Sequence, residues 1–440
     1  MKPYNKPVEL KPLFTERMQS LLGKDFESYL EILEKEPVRS LRCNTLKISV
    51  KDLEKRFKEK GWKFKQPFKD YPEVFIIEGK YVRSHSQSNN IINSKIENPD
   101  NNKTIKLNNS SKNSSDNKSS AKKSGEADFE ANNISSDSEL TRGGGRGSGG
   151  LQNLAPGELG RSLEHQLGYY YIQELASMLP IIALEPKPEE TILDLCSAPG
   201  SKTTQAAAKM ENTGTIIANE VKFGRIKVLA TNLQRCGVTN TIITKKDGIA
   251  LCKKLAQENT QIDKILVDAP CSGEGTIRST PKTCHMWNPK TIKNLSKLQK
   301  ALVSSAIEIL KPEGEMIYST CTHAPEENEE VVDYILTNFP NMKIQKVNLP
   351  IKCREGITSW DATGWASDFA KQIRGGGRGR GGTNMTERDR ELGGDPIKHS
   401  CRIYPQDENT EGFFIAKFKK SAMSVTQGKV KRRKPEVSSR

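Results

Sequence analysis

The sequence predicts an α/β body on a mostly parallel sheet covered by helices, preceded by a small α+β domain. From Leu151 onward, short apolar strand-like runs alternate with helical patterns, the arrangement of a parallel sheet buried on both faces. Before residue 83, helical and strand-like segments mix without that alternation. A chain of 440 residues has room for both bodies and for a segment that packs into neither.

Apolar residues recur at helical spacing from Arg17 to Leu33, and Pro37 breaks the pattern. The strand-like SLRCNTLKI follows, then a helix at Val50 to Lys60 and a strand at Glu73 to Ile77. Residues 1–83 are therefore expected to form the small domain. From Ser84 to Gly150 the composition turns to asparagine, serine, lysine and glycine, closing with TRGGGRGSGG. That stretch has too little apolar surface to offset the entropy of ordering, so 84–150 is expected to be a disordered insertion.

The main body, 151–419, begins with a helix expected at Gln166 to Leu179. Strand TILDL, a turn, helix TTQAAAKM, strand TIIANE, helix Arg225 to Cys236 and strands TIIT and KILVDA follow. Helix Ile292 to Leu310, strand EMIYST and helix Glu327 to Asn338 come next. A glycine- and arginine-rich insertion at 374–394, with RGGGRGRGG at 374–382, precedes the last strand, GFFIAKF, and 420–440 is a basic tail.

A net charge of +15 and a pI near 9.2 point to a polyanionic partner, nucleic acid before membrane, because lysines and arginines gain by displacing counterions from phosphates. No run approaches the ~18 apolar residues of a membrane span, and MKPYNKPVELKPLF lacks an apolar signal core. The expectation is a soluble, cytoplasmic monomer. KVKRRK leaves a nuclear or nucleolar address open. Nine cysteines stand at 43, 196, 236, 252, 271, 284, 321, 353 and 401, with no Cys-x-x-Cys pair. Neither a disulfide framework nor a metal site is suggested, and buried apolar packing suits most of them.

TILDLCSAPGSKTTQ puts strand, small-residue turn and helix in succession, so backbone amides at the helix start face a ligand above the sheet. It lacks both the Gly-x-x-x-x-Gly-Lys-Ser/Thr phosphate loop and the Gly-x-Gly-x-x-Gly dinucleotide turn. Glu220 ends the next strand, where an acid can bind a ribose or simply be solvated. With Asp194, Asp247 and Asp268 it makes a series of acids at the carboxyl ends of four consecutive strands. Adenosine recognition without phosphates fits that series, and S-adenosylmethionine fits better than ATP or NAD.

VDAPCSGEGT and YSTCT each put a cysteine, Cys271 and Cys321, just beyond a strand on the same edge. A thiolate there is a natural nucleophile. LDLCSAPGSKT, ANE, KKDG, DAPCSGEGT and YSTCTHAPEENEEVV together resemble the Sun/Fmu-type RNA cytosine-C5 methyltransferases, and RCNTLKI resembles that family's upstream segment. The resemblance covers most of 12–83 and 151–419. It implies a Rossmann-like class I methyltransferase fold preceded by an RNA-binding domain, S-adenosylmethionine as cofactor, and transfer or ribosomal RNA as partner. It implies Cys321 as nucleophile and Cys271 as the helper in product release. It also places Cys196, Ser197, Ala198, Pro199, Gly200, Ser201, Lys202, Glu220, Arg225, Asp247 and Asp268 at the cofactor or beside the target base.

For the chemistry, a protonated Asp268 is the candidate to hydrogen-bond ring nitrogen 3. Lys202 is read as lowering the Cys321 pKa, as a solvated side chain or as a phosphate contact. Pro325 and the glutamates after it suit a helical first turn. Arg42, Asn44 and Lys47 are RNA contacts by the resemblance, or an ordinary exposed strand face. The alternative reading from another class is a catalytically silent RNA-binding assembly factor.

Overall fold

The structure is a computed structural model that describes residues 9–82, 150–358, 360 and 395–422. The expected insertion 84–150, the glycine-arginine stretch 374–394 and the basic tail lie almost wholly outside the described residues. Described residues 9–80 and 152 onward belong to one compact unit, so the small and large sheets are parts of a single body.

The small sheet is antiparallel, in the order β2 (Trp62–Lys65), β3 (Val74–Tyr81), β1 (Arg39–Cys43), β5 (Tyr170–Ile172). A two-residue strand, β4, lies at Leu151–Gln152. Two helices, Pro12–Leu22 and Phe26–Leu33, replace the single one expected over Arg17 to Leu33; Gly23, at φ +54°, turns the chain between them. Strand β2 carries WKFK, a short apolar–lysine alternation that the sequence reading did not assign, and sits at the sheet edge. Lysines suit such an edge because they discourage pairing with another chain.

The helix expected at Gln166–Leu179 is instead three elements. A short helix, Leu163–Gln166, ends at Gly168, β5 pairs with β1, and a second helix runs Leu175–Leu184. Gly168 adopts φ +73°, and a Cβ there would stand 1.9 Å from the Arg235 carbonyl oxygen. No other residue makes that turn without moving backbone. Once the chain has turned, the aromatic Tyr170 and Tyr171 and the branched Ile172 suit a pleated surface, and β1 offers the edge. Part of the main body thus completes the small sheet.

The large sheet runs β12-β13-β14-β10-β9-β6-β7-β8, with β11 also on β14. Strands β6 (Thr191–Asp194), β7 (Thr215–Asn219), β8 (Thr241–Thr244), β9 (Ile262–Asp268) and β10 (Leu310–Thr320) are parallel. The C-terminal strands β11 (Met342–Gln345), β12 (Arg354–Glu355), β13 (Cys401–Ile403) and β14 (Phe413–Lys420) pair antiparallel. Of these, sequence reading found only β14. Cys353 and Cys401, expected as separate buried apolar residues, form a disulfide beside β12 and β13. Their separation of 48 residues concealed the pairing.

Alternation along the strands explains the layers. Ile265, Val267, Met316 and Tyr318 face one side, against Leu302, Val303 and Ala306 of helix Pro289–Ile309 and Val331, Val332 and Ile335 of helix Glu329–Asn338. Leu266 and Ile317 point the other way, against helix Leu175–Leu184 and helix Ser201–Lys209. All four strand residues on the first face are 0 % exposed, and burying a side chain of that size is worth about 1.5–3 kcal/mol. Strand β6 lies between β7 and β9: the chain builds from β6 through β7 to β8 and then crosses back to place β9 on the other side of β6, so the strand order reverses there. The sheet therefore opens a crevice at the carboxyl end of β6, where open α/β sheets bind ligands.

Candidate active site

Ser319 near the end of β10 lies opposite Asp268, the last residue of β9. The two loops leaving these neighbouring strands carry Cys321 and Cys271, and their sulfurs are 3.2 Å apart. The Cys321 amide donates to Cys271 Sγ at 3.3 Å. The hydrogen bond with Cys321 and burial push the Cys271 thiol well above its ordinary pKa. Cys271 therefore keeps its proton and can donate it to the Cys321 sulfur.

Residues that sequence reading did not single out brace these loops. Glu327 is 0 % exposed, and its Oε2 accepts from the Ser272 amide at 3.1 Å and from Gln299 Nε2 at 2.8 Å. Gln299 also donates to the Pro270 carbonyl, and Asn328 Nδ2 to the Thr322 carbonyl. Burial pushes the Glu327 carboxyl up to about 7. The acidic run after Pro325 is thus more than a helical first turn. A 3-10 turn at Pro325–Glu327 folds Glu327 inward beneath the cysteine loops before helix Glu329–Asn338 begins. Helix-start chemistry accounts for Pro325; the inward carboxylate needed the neighbouring helix to be seen.

Cys321 faces a cavity of about 540 Å³ that Lys202, Asp268, Glu174, Glu411 and Phe413 also line. Lys202 is buried, with Nζ 2.8 Å from Asp268 Oδ2 and donating to Ser177 Oγ at 3.0 Å. The solvated reading of Lys202 is therefore excluded. The Ser319 hydroxyl donates to Asp268 Oδ1 at 2.8 Å. Both Asp268 oxygens thus face donors of the protein itself, where the sequence led us to expect this carboxyl to donate to ring nitrogen 3.

The four acids of the series stand along the carboxyl edge. The turn after β6, Leu195 to Gly200, packs under Asn219, whose carbonyl accepts from the Ser197 amide and hydroxyl, each at 2.9 Å. Gly200 caps helix Ser201–Lys209 at φ +100°, and a Cβ there would reach within 2.9 Å of Leu229 Cδ1. Glu220 is 3 % exposed and accepts from the Lys222 amide at 2.8 Å, with Arg225 Nη1 at 2.9 Å. Arg225 also donates to the Ala198 carbonyl, clamping the end of β7 to the turn. Asp247 is exposed and caps helix Gly248–Gln257 through Ala250 N. Cys196 is half-buried, its thiol pushed up by burial and the surrounding acids, and Pro199 is exposed beside Ser201 and the buried Ala198.

An adenosyl sulfonium amino acid fits this edge. Asp194 is buried, accepts from Thr203 Oγ1 at 2.7 Å and has its other oxygen buried without a hydrogen bond. Such an orphan acceptor calls for a donor from a ligand. Glu220 offers lone pairs to a ribose diol, and the exposed side chains of Val221 and Phe223 beside it offer an apolar surface to a purine.

Residues 181–419 match the family of 16S rRNA methyltransferase RsmB/F, and residues 10–84 match the N-terminal domain of 16S rRNA methyltransferase RsmF. The chain belongs to the RsmB/F methyltransferase family. Its cofactor is S-adenosylmethionine. This RsmB/F chain is 41% identical over 261 residues to a tRNA (cytosine(49)-C(5))-methyltransferase of Pyrococcus abyssi, covering 59% of this chain and 73% of that one. It is 39% identical over 266 residues to the ribosomal RNA small subunit methyltransferase F of Pectobacterium carotovorum, covering 60% of this chain and 47% of the relative. It thus spans about half the length of such ribosomal relatives. A crystal structure of a methyltransferase homologue from Pyrococcus horikoshii superposes with TM-score 0.62 at 28% identity, covering 94% of this chain and 96% of that one.

In this RsmB/F methyltransferase the three expected RNA contacts are structural staples, which is a correction. Arg42 is 2 % exposed, donating to Gln173 Oε1 at 3.3 Å and Thr204 Oγ1 at 3.0 Å. Asn44 is equally buried and donates to the Gly168 and Cys236 carbonyls. Lys47 is exposed, but its ammonium goes to the Leu167 and Arg235 carbonyls. Folding joins β1 to helices of the main body and consumes these donors. Arg42→Ala is accordingly expected to lower stability by about 2–4 kcal/mol in urea denaturation, because buried acceptors lose their donor. RNA affinity of the folded protein should hold within about twofold at fixed salt. A tenfold or greater affinity loss with stability unchanged would restore the RNA-contact role.

Proposed function

We propose that this RNA cytosine-5-methyltransferase forms 5-methylcytosine through a covalent bond between Cys321 and carbon 6 of the target base. The observation that carries the reading is the thiol pair 3.2 Å apart, with Cys321 opening on the cavity that Lys202 and Asp268 line. Carbon 5 of cytosine is a weak nucleophile. Addition of the Cys321 thiolate to carbon 6 makes the ring enamine-like, and carbon 5 becomes able to take a methyl group. S-adenosylmethionine, when bound, supplies that group from its sulfonium. The Lys202 ammonium offsets negative charge gathering on the ring. Once the carbon-5 proton has left, Cys321 must depart as a thiolate. Cys271, holding its S–H toward that sulfur, stabilises the departing anion.

The substrate is a transfer or ribosomal RNA. The transfer-RNA relative, matched over 73% of its own length against 47% for the ribosomal one, favours transfer RNA. A stacked base cannot enter the recess, so the target is unpaired or flipped out, at a cost of a few kcal/mol.

Incubation with methyl-tritiated S-adenosylmethionine and cellular RNA, then digestion to nucleosides, tests the reading. Label should co-migrate with 5-methylcytidine. Label in another nucleoside, or none, overturns it.

A further inference from the structure

Helix Pro12–Leu22 buries Phe14, Met18 and Leu22, and the same face carries an arginine, Arg17, that is 2 % exposed. A charge on the apolar face of a helix is costly unless partners meet it. This face packs on the chain that follows both cysteines. Phe14 and Met18 share one core with Ile277 and Trp287, beyond Cys271, and with Ala324, beyond Cys321.

Arg17 reaches both loops. Its Nη1 and Nη2 donate to the two carboxyl oxygens of Glu326, five residues after Cys321, with Nη1 at 3.3 Å. Its Nε lies 3.9 Å from Oε1 of Glu274, three residues after Cys271, and that oxygen also accepts from Trp287 Nε1 at 2.7 Å. Glu327, the neighbour of Glu326, takes the Ser272 amide instead. The contacts close a circuit: from Ser272 through Glu327 and Glu326 to Arg17, then through Glu274 back to the loop of Cys271. The guanidinium is the link that comes from outside the two loops.

Such a cluster adds little to stability, because ions lose their hydration on burial and apolar packing of the same volume serves as well or better. What it supplies is position. A planar fork holds Glu326 by two parallel bonds and admits little slack, whereas an ammonium on a flexible stem does not fix direction. The two loops need this unequally. Cys321 stands one residue past β10, which is flanked there by β9 and β14, and Asn328 ties Thr320 to Thr322. Cys271 stands three residues past β9 and leans on side chains: Gln299 at Pro270, Glu327 at Ser272 and Arg17 at Glu274.

We propose that Arg17 is a positioning residue for the thiol pair. By holding Glu274 against Glu326 it keeps Cys271 within reach of Cys321, so it acts on departure of the methylated base and not on methyl transfer. The proposal rests on the covalent reading above and deepens it. In departure the electron pair of the carbon 5–hydrogen bond becomes the carbon 5–carbon 6 π bond, and the proton passes to water. The sulfur–carbon 6 pair leaves on Cys321, where the S–H of Cys271, 3.2 Å away, meets the anion. A loosened Cys271 loop withdraws that donor while leaving the attacking sulfur in place.

The test uses the full chain, methyl-tritiated S-adenosylmethionine and total RNA from cells lacking the gene. Arg17→Met keeps an unbranched side chain against the core and removes the fork. Cofactor affinity and the single-turnover rate of methyl transfer should stay close to wild type. Labelled RNA should accumulate in a protein band that survives denaturing electrophoresis, and multiple turnover should fall about 10²-fold, the effect of an ångström-scale misplacement. Arg17→Lys retains the charge without the fork and should give the same band at a lower level, which keeps the proposal testable if Arg17→Met folds poorly. Absence of the band from both variants, with turnover falling only as far as the folded fraction, would overturn the proposal. Equal losses in single and multiple turnover would do so too. Cys271→Ala is the control: if it also gives no band, the covalent reading itself fails, so the two failures are distinguishable.

Discussion

Cys321→Ala is expected to abolish methyl transfer, lowering turnover on the order of 10⁴-fold or more while leaving the fold and S-adenosylmethionine binding intact. The size follows from what is removed. Without sulfur addition at carbon 6 the ring never becomes enamine-like, and no remaining group at that position can replace the bond. The fold should survive because Cys321 is only partly buried at the cavity mouth. Its amide and carbonyl, which make the bonds to Cys271 and Gly275, are backbone atoms. Single-turnover assays beside cofactor titration check this. Retention of more than about a tenth of wild-type turnover would exclude a covalent role for this sulfur, since nucleophile removal elsewhere costs orders of magnitude more.

Cys271→Ala should fail at the other end of the cycle. Methyl transfer to carbon 5 proceeds, but the departing Cys321 thiolate loses the S–H donor 3.2 Å away. The expected outcome is a covalent protein–RNA species that survives denaturing electrophoresis, with multiple turnover reduced about 10²–10⁴-fold, the range for a positioned proton donor. The double variant should give no such species, because the bond that accumulates belongs to Cys321. Adduct accumulation in Cys321→Ala, with Cys271 intact, would exchange the two roles. The asymmetry behind the assignment is physical: the hydrogen bond with Cys321 and burial keep Cys271 protonated, and a protonated thiol assists departure better than it attacks.

Much of the large sheet was legible because both of its faces are buried. Runs such as TILDL and KILVDA stand between helical patterns, and burial on both sides leaves few other arrangements for them. Gln166 to Leu179 misled for a local reason. Its apolar spacing suits a helix, but the turn at Gly168 and the open edge of β1 lie outside any local window. The same limit hid β11 and β13, which are strands only because each pairs with a stretch of β14.

The chemistry-bearing positions follow a similar division. Local order along the chain suffices to put Cys271, Cys321 and the acids Asp194, Glu220, Asp247 and Asp268 at strand ends, because a parallel sheet brings every such end to one edge. It does not say which of their neighbours will be partners. Arg42 and Asn44 look like an exposed face in the string of residues and prove to be buried staples. Lys202 and Asp268 satisfy one another, and Glu411 arrives from 140 residues beyond Cys271 to the same cavity. Strand periodicity and turn chemistry act over a few residues and can be read from them. Ion pairing, desolvation and orphaned hydrogen bonds depend on distances between remote segments, which exist only once the chain has packed.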